Sequence, residues 1–143
     1  INLKRYAPLL SNHNRYSFGE SCLINCNDKH IYVLGGFNYA ISYYNSTNMV
    51  HLYNIENDTW SIKSSFRKPR AMFGCSLNKN HSNIYIFSGK TNLGKMVKET
   101  ETYNIESNMW HVLTNPSSVM NPTRIHHKCI YHPHSYRYII CIG

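Results

Sequence analysis

A chain of 143 residues with 42% hydrophobic side chains is long enough for one ordinary domain with a packed core. It has no run of about 18 apolar residues, so no segment reads as a membrane-spanning helix and no membrane partner is expected. Fifteen Lys and Arg against seven Asp and Glu give a formal charge of +8, a balance that favours acidic partners.

Twelve Tyr and two Trp weight the composition toward strands. Residues 1–16 read as a lead-in; Lys4 and Arg5 are followed by Tyr, Pro, Asn and His instead of the apolar core of a signal peptide. Strands are then expected over 17–25, 30–35, 49–55 and 60–63. After a loop at 64–69 the same series returns over 71–78, 83–88, 100–105 and 110–113. A second loop, 114–123, leads to two more strands at 125–131 and 138–142. The domain reading is therefore a first unit at 17–63, a second at 70–113 and the first half of a third at 124–143.

The units repeat in detail. Tyr53-Asn-Ile-Glu-Asn-Asp-Thr-Trp60 returns as Tyr103-Asn-Ile-Glu-Ser-Asn-Met-Trp110, and Ile31-Tyr-Val-Leu-Gly-Gly36 as Ile84-Tyr-Ile-Phe-Ser-Gly89. Cys22, Cys75 and Cys129 stand at one place in successive units. Self-similarity at a period of roughly 50 residues marks a repeat architecture. The second strands are apolar on both faces, as suits a sheet covered on both sides. Glycines at the strand ends let the backbone turn sharply and approach a neighbour. The turns before Trp60 and Trp110 are supplied by Glu56-Asn57-Asp58 and Glu106-Ser107-Asn108, and the Tyr and Trp rings are expected to fill space between sheets.

An apolar strand, a glycine pair (Gly35-Gly36; Ser88-Gly89 in the second unit), a variable loop and Tyr…Trp at fixed spacing resemble the Kelch repeat. The resemblance implies an all-β fold of four-stranded antiparallel propeller blades, with Gly35, Gly36, Tyr53, Trp60, Gly89, Tyr103 and Trp110 in structural roles. Propellers close with four to eight blades, so two and a half blades form an incomplete propeller. Its remaining blades are expected from the same native chain.

Alternation of strand direction puts Phe37–Met49, Ser64–Pro69, Lys90–Glu99 and Thr114–Thr123 on one face. Phe37, Tyr39, Tyr43 and Tyr44, with Arg67, Lys68, Lys90, Lys95 and Lys98, are the expected partner-binding residues, aromatic anchors beside cations suited to an acidic protein surface. The function implied is a non-enzymatic interaction scaffold or adaptor. The alternatives are an enzyme-associated propeller with active residues elsewhere, or a nucleic-acid-binding propeller using the basic run Lys63, Arg67, Lys68 and Arg70.

No catalytic residue and no cofactor is assigned: the chain has no P-loop, dinucleotide fingerprint or nucleophile elbow. His126, His127, Cys129, His132 and His134 form the one metal-like grouping, but a second closely spaced ligand pair is lacking and no metal is expected. Five cysteines without a close-spaced framework suggest reduced thiols and a cytoplasmic setting, with Cys22 and Cys26 a reduced structural pair. Asn45, Asn57 and Asn80 open glycosylation triplets, read as chance matches in an Asn-rich chain.

Overall fold

Runs of β-branched and aromatic residues, each closed by Asn, Asp or Gly, set the rhythm of the backbone. A computed structural model describes residues 10–11, 14–15, 18–39, 45–132 and 138–143. Strands β1 (Leu10–Ser11) and β2 (Asn14–Arg15) form a short ladder of their own. Blade 1 contains β3 (Phe18–Gly19), β4 (Cys22–Cys26), β5 (His30–Asn38), β6 (Ser46–Asn54) and β7 (Thr59–Lys63). Blade 2 is β8 (Gly74–Leu77), β9 (Asn83–Phe87), β10 (Glu101–Asn104) and β11 (Met109–Val112). A 3-10 turn at Pro116–Ser118 precedes β12 (Lys128–Tyr131) and β13 (Ile139–Ile142), which among the described residues pair with each other alone.

Every pairing is antiparallel, and each full blade follows chain order from its inner to its outer strand. The inner strand of blade 1 is split: β3 and β4 both lie along β5, separated by Glu20 and Ser21. The expected architecture, all-β with four-stranded antiparallel blades that do not close, is thus the one observed. Among the described residues no helix is long and apolar enough to cross a membrane.

The glycine pair behaves differently from expectation. β5 does not end at residue 35 but continues to Asn38, with a bulge between Leu34 and Gly36. Gly35 (φ 51°) and Gly36 (φ 94°) adopt the left-handed backbone that the bulge requires. Space matters as much: a Cβ on Gly35 would lie 2.7 Å from the Phe66 ring and 2.8 Å from the Arg70 carbonyl oxygen. The glycines therefore let the next blade's leading loop press against the strand.

The core lies between the blades. Leu34, Val50, Leu52 and Tyr32 of blade 1 meet Ile84, Ile86 and Tyr103 of blade 2 and Phe66 and Phe73 of the connecting segment. Tyr32 and Tyr103 meet edge to face at 6.0 Å, and Phe66 and Phe73 at 5.9 Å. Backbone bonds tie the inner edges in series: Met72 N donates to Glu20 O (3.1 Å), and His126 N to Met72 O (2.9 Å). All three residues have φ between 55° and 58°, so successive repeats present the same left-handed turn to the blade that follows.

Candidate functional site

The loops that follow alternate strands gather on one face. Arg70 N donates to Thr47 O (3.2 Å), Phe66 N to Asn48 O (3.3 Å), and Asn92 N to Ser46 Oγ (3.0 Å), joining the blade 1 loop to both segments after it. Met120 N reaches Lys98 O at 3.4 Å and Gly89 N reaches Arg124 O at 3.2 Å, bringing in the third segment. The described parts of these loops are tied together because their N–H groups reach a neighbour's carbonyls or, at Ser46, its hydroxyl.

Arg70 is the hub of that face. Its guanidinium is fully buried, with Nη1 donating to Ser88 O (3.3 Å) and Glu99 O (3.0 Å), Nε to Lys68 O (3.2 Å), and Nη2 pairing with the Glu101 carboxylate. The second Glu101 oxygen accepts the Arg67 N–H at 2.7 Å. Burial pulls the guanidinium below its usual value, and the carboxylates of Glu101 and Glu99 push it back. Arg70 therefore does not belong to an exposed basic run; the run expected at 63–70 is broken at its most basic point by a residue that faces inward.

The other expected site residues divide. Phe37 is a correction: it lies within β5 and is 4% exposed, because the bulge turns it into the interior. Tyr39 is exposed, with its ring against Gly19 and 6.3 Å from the Phe37 ring. Tyr43 and Tyr44 lie outside the described residues. Lys68 pairs with Glu99, and the hydrogen bond from Lys68 holds the Glu99 carboxyl below its ordinary range. Lys90 is half-buried, its backbone bonded both ways to Ala71 at 2.9 Å. Arg67, Lys95 and Lys98 are exposed. The loop at 91–97 also offers Leu93, 78% exposed, and Met96, neither singled out from the sequence. Their signal was faint: two apolar residues in a segment rich in Thr, Asn, Gly and Lys.

The repeated turns have one construction. Asn54 Oδ1 accepts the N–H groups of Glu56 (2.9 Å) and Asn57 (3.0 Å), and Asn104 Oδ1 accepts that of Ser107 (2.8 Å). The Tyr53 hydroxyl clamps Asp58 and the Tyr103 hydroxyl donates to Asn108 at 2.7 Å, both clamped residues having positive φ. The Tyr53 ring packs tilted against Trp60 at 4.8 Å and Tyr103 against Trp110 at 5.0 Å. Residues 22–67, which carry the first of these turns, match the family model of the Kelch motif. Blade 1 is a Kelch repeat.

Blade 2 repeats that Kelch geometry strand for strand, and β12 and β13 match its first half. The two tryptophans are half-buried instead of sealed between blades. Trp110 does reach across: its Nε1 donates to Ser64 O at 2.7 Å and its ring packs on Phe66 at 5.4 Å.

The cysteines overturn the expectation of reduced thiols. Cys22 is bonded to Cys75, joining the inner strands of blades 1 and 2, and Cys129 is bonded to Cys141 within blade 3. Only Cys26 is a free thiol; it is buried, and its Sγ lies 3.9 Å from His81 O. Repeat-equivalent positions on the inner strands stand beside each other in space, and linear spacing hides this. The histidine grouping also changes. His126 is exposed and ion-paired with Glu20 at 3.3 Å, and His134 lies outside the described residues. His127 is buried, and its ring nitrogen gathers with the Cys129 and Cys141 sulfurs within 4.8 Å. Burial first, then the charges of Arg124 and Lys128, depress the His127 pKa and favour the neutral ring.

Proposed function

We propose that this chain is part of a non-enzymatic recognition scaffold whose loop face takes an acidic protein surface carrying an apolar side chain. Kelch repeats generally serve protein–protein interaction, and the disposition of charge here carries the more specific reading. Both carboxylates of the face are used internally, Glu99 by Lys68 and Glu101 by Arg70. Arg67, Lys95 and Lys98 are left exposed, without an ion pair among the described residues, around exposed Leu93 and Met96. Cations steer an acidic partner and set its register, and the apolar tip supplies area to bury. A rigid propeller with functional loops suits this role.

The test is affinity capture with the full-length protein and with its Arg67→Glu, Lys95→Glu, Lys98→Glu variant, at two salt concentrations and after nuclease treatment. The expected result is a defined protein partner lost in the variant and weakened by salt, with the melting temperature unchanged. Equal recovery by both forms would remove the face from the interface. Capture abolished by nuclease would replace the partner with nucleic acid.

A further inference from the structure

Blade 3 departs from its predecessors at two positions that meet in space. The bond from His126 N to Met72 O puts His126 in the place of Met72, so His127 stands where blade 2 has Phe73. Phe73 is an apolar plug, 5% exposed, against blade 1; His127 is 1% exposed and accepts the Gly74 N–H on its Nε2 at 3.1 Å. The second departure lies across the ladder. Cys22 faces Leu34 and Cys75 faces Ile86, whereas Cys129 faces Cys141. Phenylalanine and isoleucine have thus given way to histidine and cysteine beside the repeated cysteine. Room is provided by Gly74, where a Cβ would lie 2.5 Å from His127 Nε2 and 2.6 Å from Cys129 Sγ.

We propose that His127, Cys129 and Cys141 form a redox-gated site for a thiophilic cation, Zn²⁺ foremost. Two thiolates and an imidazole are a soft donor set suited to Zn²⁺, and three protein ligands leave a fourth position for water or a partner's side chain. In the oxidised form the disulfide withholds both sulfurs. A dithiol reductant opens it: the reductant's two thiols become a disulfide, and its two electrons and two protons pass to Cys129 and Cys141, which become thiols. Zn²⁺ then displaces those two protons, forming two Zn–S bonds, and takes the His127 lone pair that now accepts from Gly74. Bond lengths of about 2.3 Å to sulfur and about 2.0 Å to nitrogen place tetrahedral ligand atoms roughly 3.5–3.8 Å apart. The ligand atoms already lie within 4.8 Å of one another, so rotation of the two freed cysteine side chains completes the geometry.

The full-length protein, reduced with a phosphine under anaerobic conditions, is titrated with Co²⁺ as the spectroscopic probe and then with Zn²⁺. The expected result is one cobalt per site, with a thiolate-to-cobalt charge-transfer band and tetrahedral d–d bands, displaced by Zn²⁺. The bands are absent in Cys141→Ser and persist in Cys22→Ser and Cys75→Ser. Alkylation of the reduced wild type, mapped by mass spectrometry, gives a readout that does not depend on any variant folding. Zn²⁺ slows modification of Cys129 and Cys141 by about tenfold or more and leaves Cys22, Cys26 and Cys75 unchanged. No charge-transfer band on the reduced folded protein, bands that survive Cys141→Ser, or protection confined to another cysteine pair would overturn the proposal.

Discussion

Arg70 and Arg124 stand at the same point of consecutive repeats, and each offers its carbonyl to a glycine N–H of the preceding blade, Gly36 at 3.0 Å and Gly89 at 3.2 Å. Their side chains share nothing else. The Arg70 guanidinium is sealed between blades 1 and 2, satisfied by three carbonyls and the Glu101 carboxylate, with Phe66 5.7 Å from its centre. Arg124 is exposed and donates to Gly143 O at 2.7 Å. What differs is the sheet behind. Strand β10 brings Glu101 to Arg70, whereas blade 3 has only β12 and β13 among the described residues. A repeat position fixes the backbone of a junction; the strands behind it decide whether a charge there can be buried.

The strongest way to break this comparison is to remove one partner of the buried pair. Arg70→Ala is expected to cost about 3–5 kcal/mol, since Glu101 is left buried and uncompensated, while in the 143-residue segment, where no described strand beyond β13 lies behind Arg124, Arg124→Ala stays within about 0.5 kcal/mol. Denaturant unfolding of the two variants gives the answer, and equal losses would refute the distinction between the junctions. Next in size, Cys22→Ser opens the link between blades 1 and 2 and is expected to cost about 2–4 kcal/mol under oxidising conditions. The difference should vanish when wild type and variant are both compared in reductant; a cost that persists would show that the sulfur acts by packing.

Trp110→Ala is expected to cost about 2–3 kcal/mol, because it removes ring contacts and the bond to Ser64 O. Trp60→Ala should cost less, about 1–2 kcal/mol, measured in the same way. Sequence alone gave the two tryptophans equal weight, so a reversed order would sharpen the question of what covers blade 1. The smallest effect concerns acid. Glu99 has a depressed folded-state pKa, chiefly from the Lys68 hydrogen bond, so the native state binds its proton less readily than the unfolded state. That stability is present above the ordinary carboxylate pKa and is lost as pH falls through the lower folded value. Solvent screening of this partly exposed pair keeps the effect under about 1 kcal/mol. Lys68→Met should flatten this part of the acid unfolding curve; an unchanged curve would exclude the pair as its source.

The blades were legible because their signals are local. Asn54 and Asn104 close their own turns, Tyr53 and Tyr103 clamp residues five positions on, and apolar alternation marks the strands between. The loop face was legible too, since strand alternation dictates it. Which of its side chains remain available was not. Arg70 meets Glu101 and Lys68 meets Glu99, each across 31 residues, so a stretch that reads as one exposed basic run has Arg70 sealed inside and Lys68 already paired. Phe37 is drawn inside by a bulge whose glycines read equally well as a strand end. Cys141 joins Cys129 through ladder register, a spacing of 12 residues that resembles no ligand motif.

The inner-edge chain through Glu20, Met72 and His126 has an evolutionary corollary. Its repeated links are amides and carbonyls, which every residue but proline supplies, and the Glu20–His126 ion pair is added beside them. Provided a left-handed turn is tolerated, mutation can rewrite the side chains there without disturbing how one repeat engages the next. An acid, a thioether and an imidazole already occupy the three copies. The lining of the propeller's centre can therefore diversify in charge and chemistry while its assembly rule stays constant.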